Sequence, residues 1–166
     1  MHTVRPLTPA DLPHLLVLNT AAVPAVNEID LVEMTELVAQ SRLAVAVVDD
    51  EHPDAVLGFV LALPPGLQYA SENYRWFSAR GEAFLYVDRI VVGDGQRGAG
   101  LGALLYEAVF DAAAADGASE VDCEVNVEPP NPGSLRFHGR LGFAEVGRQA
   151  TKGGSVVVAL LARPLG

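Results

Sequence analysis

The sequence has little cysteine, little positive charge and no long apolar run, and each absence excludes a class of protein. Cys123 is the single cysteine among 166 residues, so the chain can form neither an internal disulfide nor a metal centre of several thiolates. The four histidines are not spaced like metal ligands, so we expect no metal site. A reducing compartment suits this composition.

Basic residues are outnumbered, with 11 Lys and Arg against 21 Asp and Glu and a net charge of -10. This balance argues against a nucleic-acid partner, because phosphates require clustered positive charge. No stretch reaches the roughly 18 apolar residues of a membrane span, and the first residues, MHTVRPLTPADL, lack the pattern of a secretion signal. We therefore expect a cytoplasmic protein without a membrane partner and with a neutral or cationic substrate.

The length and the apolar content fit one domain, residues 1–166, because half of the residues are hydrophobic and a chain of this size can bury a single core. Alternating and helical patterns predict, in order, a strand, two helices, three strands, a helix, a strand, a helix and two strands. This order predicts an α/β (α+β) fold with a mixed, mostly antiparallel sheet of about seven strands and helices on both faces.

The segment from Pro64 to Glu82 shows no clean period but is rich in aromatic residues. Loops of this length are usually functional or disordered. We expect a lid or pocket wall here, with Trp76 as a candidate substrate-binding residue. A strand at 83–92 and helices at 99–116 and 135–141 follow.

The stretch VVGDGQRGAGLGALL, residues 91–105, joins a strand to a helix through alternating glycines. Glycines let a ligand approach the backbone closely, and a helix N-terminus attracts anions. The stretch therefore predicts a phosphate site. Its candidate residues are Arg97, Gly98, Ala99, Gly100, Leu101 and Gly102.

Two other phosphate motifs compete for the same glycines. A P-loop requires Gly-Lys-Ser/Thr, but Gly102 is followed by Ala103, so that motif is excluded. Residues 98–103 do fit the dinucleotide-binding pattern G-x-G-x-x-G/A. The pattern alone therefore does not exclude a dinucleotide-binding protein. The preceding hairpin pattern, in place of βαβ units, argues against it.

Residues 90–105 are similar to the R-G-x-G-x-G acyl-CoA-binding motif of the GNAT N-acetyltransferases, and NPGSLRFHGRLGF is similar to a later motif of that family. The resemblance spans essentially the whole chain. It implies a GNAT-type fold, acetyl-CoA as cosubstrate with its pyrophosphate on residues 97–102, and no metal. It implies further cofactor contacts from Ile90, Val91, Val92, Asn131, Ser134 and Phe137. Asn131 is equally well suited to cap the next helix, and it can do both.

The chain departs from the family pattern at Asp94, where a proline is common, and at His138, where a tyrosine usually protonates the leaving thiolate. A bacterial branch with a PPNP turn followed by Phe-His looks similar, so we interpret His138 as a branch feature. Its ordinary pKa near 6.5 suits an acid. The alternative is a histidine hydrogen-bonded for structure.

The resemblance also implies a general base on the strand at 83–92. Asp88 and Glu82 are the candidates, although Asp88 can equally form an ion pair with Arg89. Tyr86 matches a position that is often glutamate and is taken as substrate-binding. In the loop after the first helix, Asn27 and Glu28 are candidate anchors for a cationic amine.

The predicted function is direct acetyl transfer from acetyl-CoA to a primary amine of a small molecule or to an N-terminal amino group. Two alternatives stay open: a CoA-binding module without catalysis and a dinucleotide-binding protein. The sequence also leaves a homodimer open.

Overall fold

The computed structural model describes residues 1–96 and 98–166. Within that part the chain forms seven strands and five helices, together with 3-10 turns at Pro9–Asp11 and Lys152–Gly154. The elements are β1 His2–Pro6, α1 Leu12–Ala21, α2 Leu31–Gln40, β2 Leu43–Asp49, β3 His52–Leu63, α3 Glu72–Arg80, β4 Phe84–Val92, α4 Leu101–Ala115, β5 Glu120–Glu128, α5 Pro132–Arg140, β6 Ala144–Thr151 and β7 Val156–Pro164.

The strands are ordered β1-β2-β3-β4-β5-β7-β6 in one sheet. The pairs β1–β2, β2–β3, β5–β7 and β6–β7 are antiparallel. Strands β4 and β5 are parallel, and their ladder pairs Phe84–Tyr86 with Glu120–Asp122. The mixed, mostly antiparallel sheet of seven strands is therefore confirmed.

The chain divides into two compact units, of which the first contains Met1–Leu63 and Val87–Ala112. Its core is built on β2 and β3, where Val45–Val48 and Phe59–Leu63 are buried, with Leu15 and Met34 contributed by α1 and α2. Helix α2 begins at a capping box in which the Asp30 carboxylate accepts a hydrogen bond from the Glu33 N–H.

The second unit contains Pro64–Tyr86 and Ala113–Gly166. Here the expectation of a loop over the whole of Pro64–Glu82 is wrong, because α3 occupies residues Glu72–Arg80. The Ser71 side chain caps α3, and Tyr74 and Phe77 are its buried residues. Tyr74 packs edge-on against Phe84 and Tyr86 of β4. Only these two positions of α3 are buried, three residues apart. Such a short apolar pattern does not predict a helix.

The other predicted boundaries hold within a few residues. Helix α4 ends just before Gly117, as expected, and α5 begins at Pro132, three residues before the predicted start, because Asn131 caps it. No helix in the described part of the chain is long and apolar enough to cross a membrane. The assignment of residues 1–166 to one domain stays a prediction.

Candidate functional site

The glycine turn before α4 contains two glycines in a left-handed backbone conformation. Gly98 and Gly100 have φ angles of 85° and 77°, a left-handed conformation that favours glycine. A Cβ atom at either position would meet no atom within 4 Å, and residues 98–100 are exposed. The turn therefore offers open backbone at a helix N-terminus. Arg97 lies outside the described residues.

Residues 90–92 of β4 lie close to β3 in the first unit. A Cβ atom on Gly58 would lie 2.8 Å from the Val91 carbonyl oxygen and 3.3 Å from the Val92 Cα. The Gly93 N–H donates to the Leu57 carbonyl at 2.8 Å. The backbone of Ile90–Val92 is thus held tightly at the strand end that precedes the glycine turn.

Asp88 forms an ion pair with Arg89, which is one of the two roles that the sequence left open for it. The Arg89 Nε lies 2.8 Å from the Asp88 Oδ2, and both side chains are at most 5 % exposed. The Arg89 Nη1 donates to Asn19 at 2.9 Å, and its Nη2 donates to the Asn27 side chain at 2.8 Å. The structure thus brings Asp88 and Asn27 together around a buried arginine, while Glu28 is exposed.

Helix α5 positions the second motif. The Asn131 side chain accepts a hydrogen bond from the Ser134 N–H at 3.4 Å, so its capping role is confirmed. His138 is 4 % exposed and lies edge-on against Phe137 and Phe143.

The His138 Nδ1 lies 2.7 Å from the Ser134 carbonyl oxygen, so we assign the ring proton to Nδ1. Burial lowers the pKa of His138, and its bond to Ser134 only partly opposes that shift. The imidazole is therefore mainly neutral at pH 7.

Trp76 and Glu82 lie in the second unit. Trp76 packs against Phe77 with ring centroids 5.1 Å apart, and a Cβ atom on Gly147 would lie 2.7 Å from its ring. Trp76 therefore packs on its own helix, and its role as a substrate-binding residue of a lid or pocket wall stays a prediction. Glu82 is exposed and lines a cavity of about 260 Å³. The other lining residues are Phe77, Arg80, Gly81, Ala83, Phe84, Ser119 and Glu120.

Tyr86 and Glu124 form a pair that sequence reasoning missed. Tyr86 is 1 % exposed, and its hydroxyl donates to both carboxylate oxygens of Glu124. Glu124 is partly exposed. Tyr86 therefore orients the carboxylate of a residue on the neighbouring strand, and its predicted contact with the substrate stays a prediction.

Two more carboxyl groups precede Glu124 on β5. Glu120 accepts hydrogen bonds from Arg80 at 3.2 and 3.4 Å. Asp122 is fully buried, and neither of its carboxyl oxygens accepts a hydrogen bond from a described residue.

Burial, together with the neighbouring Glu120, raises the pKa of Asp122 to about 9. The contact with Asp122 and then that with Arg80 lower the pKa of Glu120. Asp122 therefore keeps a proton at neutral pH, and this proton is what it can donate to the Glu120 carboxylate.

A potential ligand group of another kind lies at the β2–β3 turn. There Asp49, Glu51 and His52 bring one ligand atom each within 4.8 Å of one another. The Asp49 carboxylate accepts a hydrogen bond from the Glu51 N–H, so the turn itself explains the cluster. The expectation of no metal site stays a prediction.

Solved structures of the same architecture cover almost the whole chain. NAA60 of Arabidopsis thaliana in complex with acetyl-CoA has a TM-score of 0.78 and 21 % identity, with 99 % of this chain and 100 % of that chain covered. The ribosomal-protein-S18-alanine N-acetyltransferase of Escherichia coli has a TM-score of 0.74 and 17 % identity, with 100 % and 95 % covered. A GCN5-related N-acetyltransferase of Kribbella flavida has a TM-score of 0.74 and 20 % identity, with 99 % and 98 % covered.

The chain belongs to the Acetyltransferase (GNAT) family, whose model matches residues 17–143. No curated protein matches the chain by sequence. The matched region contains the glycine turn and the whole of the later motif, residues 131–143, so the family predicted from these motifs is confirmed. The branch with a PPNP turn and Phe-His stays a prediction.

Proposed function

We propose that the protein is an acetyl-CoA-dependent N-acetyltransferase that acts on a primary amine of a small molecule or on the N-terminal amino group of a peptide. The observation that carries the proposal is the open glycine turn at Gly98 and Gly100 within the region that matches the family. The acetyl-CoA complex of the Arabidopsis neighbour supports acetyl-CoA as the cosubstrate.

Bound acetyl-CoA would supply an activated thioester, and the chain would hold it through its backbone. Residues 98–102 would donate N–H groups to the pyrophosphate, with Arg97 adding charge. A main-chain N–H of Ile90–Val92 would polarise the acetyl carbonyl. The remaining contacts would come from the second motif, through Asn131, Ser134 and Phe137.

Glu124 is our candidate for the general base. An acceptor amine is mostly protonated at pH 7 and must lose that proton before it attacks. The Glu124 carboxylate is oriented by the Tyr86 hydroxyl and is partly exposed. Asp88 is bound by Arg89 and Glu82 lies in an exposed turn, so neither predicted base is positioned as well.

His138 stays our candidate for protonating the leaving thiolate. Because burial lowers its pKa, only a minor fraction carries a second proton at pH 7. Its contribution to kcat should therefore grow as the pH falls, and His138→Gln should remove that increase.

Thiol release from acetyl-CoA, measured with a broad panel of amines, tests the proposal. We expect turnover by the wild type and a loss of about tenfold or more in kcat for Glu124→Gln, with CoA binding unchanged. Gly100→Val should weaken CoA binding, because it strains the turn. Gly139→Ala, where a Cβ atom meets no neighbour within 4 Å, is the matched control.

Other outcomes would support the alternatives. Thermal stabilisation by CoA without turnover of any amine would identify a CoA-binding module. Stabilisation by NAD or FAD in preference to CoA would identify a dinucleotide-binding protein. Either result would contradict the proposed reaction.

A further inference from the structure

The loop between α1 and α2, residues 22–30, contains no helix or strand, yet side-chain contacts tie it to β4. The Arg89 side chain is 4 % exposed. Its Nη2 donates to the Asn27 side-chain oxygen at 2.8 Å, and its Nη1 donates to the Asn27 main-chain oxygen at 3.2 Å. Both oxygens of Asn27 thus accept from one guanidinium group, which holds the middle of the loop on the strand.

Two further side chains hold the guanidinium group itself. The Arg89 Nε donates to the Asp88 Oδ2 at 2.8 Å, and Nη1 donates to the Asn19 side chain of α1 at 2.9 Å. Asn19 is fully buried, and its Nδ2 donates to the Asn27 main-chain oxygen at 3.0 Å. A planar guanidinium presents its donors in fixed directions. These four residues, Asn19, Asn27, Asp88 and Arg89, therefore form one unit, here called the Arg89 clamp.

The clamped loop lies along the end of β4 that holds the proposed chemistry. The loop begins at Ala22, which lines a small recess together with Val92 and Gly93. It is fastened to the strand again at Arg89. The loop therefore flanks the backbone of Ile90–Val92, a main-chain N–H of which would polarise the acetyl carbonyl.

We propose that Arg89 is a positioning residue for the acceptor amine, because its clamp holds residues 22–30 as a wall of the amine site beside Ile90–Val92. The inference rests on the proposed function and gives a role to a buried arginine that the acetyl transfer itself leaves unused. A loop that is ordered before binding loses less entropy when the amine binds. Glu28, exposed and next to Asn27, is the side chain that the clamp presents to a cationic amine.

Asn27→Ala and Asn19→Ala weaken the clamp from two sides. Asn27 is exposed, whereas Asn19 is fully buried and cannot touch a substrate. We expect each variant to raise the KM for the amine about fivefold or more, with kcat and CoA binding within about twofold of the wild type. The double variant should raise the KM by less than the product of the single effects, because both changes act on one unit. Retained CoA binding shows that each variant is folded.

Asn27→Asp is the conservative variant. Its carboxylate keeps an acceptor oxygen and adds a charge opposite to that of Arg89, so the KM for the amine should not rise. Asn73→Ala is the matched control. The Asn73 side-chain oxygen also accepts a hydrogen bond, from Gln149 at 3.0 Å, but it lies on α3 outside the clamp, so none of the constants should change.

Hydrogen–deuterium exchange adds a readout that needs no turnover. Residues 22–30 should exchange faster in Asn27→Ala and in Asn19→Ala than in the wild type and in Asn73→Ala. A raised KM in Asn27→Ala without faster exchange would mean that Asn27 contacts the amine directly, and it would overturn the proposal.

The remaining outcomes separate this inference from the proposed function. Turnover with an amine KM within about twofold of the wild type in both alanine variants would overturn the positioning role alone. No thiol release by the wild type would overturn the proposed function and the positioning role with it.

Discussion

An aspartate is buried in each of the two compact units, Asp11 in the first and Asp122 in the second, and the pKa values of these two residues shift in opposite directions. In the first unit the Asp11 carboxylate accepts hydrogen bonds from Arg5 at 2.8 and 2.9 Å and from the Thr8 N–H at 2.8 Å. These contacts, with Arg5 first, lower the pKa of Asp11 to about 2. In the second unit burial raises the pKa of Asp122 to about 9.

The difference shows that the partner of a buried carboxyl group, and not burial alone, decides its charge and its effect on stability. The pKa of Asp11 lies below its unfolded value, so its stabilisation is present above about pH 4 and is lost as the pH falls towards 2. The pKa of Asp122 lies above its unfolded value. The folded state therefore holds the extra proton, and stability falls as the pH rises from about 4 to about 9.

The largest expected change is a gain in stability for Asp122→Asn. A carboxyl group with an unfolded pKa near 3.9 must take up a proton at pH 7 when the protein folds, which costs about 4 kcal/mol. An amide avoids this cost, so the variant should raise the free energy of unfolding by about 2 to 4 kcal/mol. Chemical denaturation between pH 5 and pH 8 should also show a smaller decrease with pH than in the wild type. An equally steep decrease in the variant would assign that pH dependence to other groups.

A loss of intermediate size is expected for Asp11→Asn. The amide keeps the shape but loses the charge that Arg5 and the Thr8 N–H contact, so the free energy of unfolding at pH 7 should fall by about 1 to 3 kcal/mol. The gap between variant and wild type should narrow as the pH approaches 2, where the wild-type carboxylate is itself protonated. A gap that stays constant down to that pH would show that packing, and not charge, holds Asp11.

The smallest effect is expected for Glu145→Gln. Glu145 lies 2.9 Å from Arg148, but both side chains are largely exposed, at 42 % and 59 %. Solvent-exposed ion pairs often contribute nothing measurable, so the melting temperature should not change. A clear drop would mean that carboxylate–arginine pairing stabilises this protein regardless of burial.

The sequence predicted most of the sheet and the cofactor motif, because both depend on local patterns. The period of two predicted β4 and β5, and the glycines at 98 and 100 were expected to let a ligand approach the backbone closely. The buried carboxyl group at 122 could not be predicted in the same way. Acidic and apolar residues alternate along β5, at Glu120, Asp122 and Glu124 and between them. This pattern is typical of a half-exposed strand and would predict that all three acids face solvent.

The missing element was α3, which provides Arg80 next to Glu120. Without that helix nothing in the sequence indicated that the acidic face of β5 is covered. The Tyr86–Glu124 hydrogen bond was missed for a related reason, since it joins residues 38 positions apart through a parallel register that only the fold supplies.

Gly58 carries no reactive group, yet it restricts the backbone on which the proposed chemistry depends. Any side chain at this position would meet the Val91 carbonyl at 2.8 Å, so it would displace β4 where Ile90–Val92 would polarise the acetyl group. Position 58 therefore has little freedom to vary during evolution or engineering, because even one added methyl group there would have to be absorbed by the main chain.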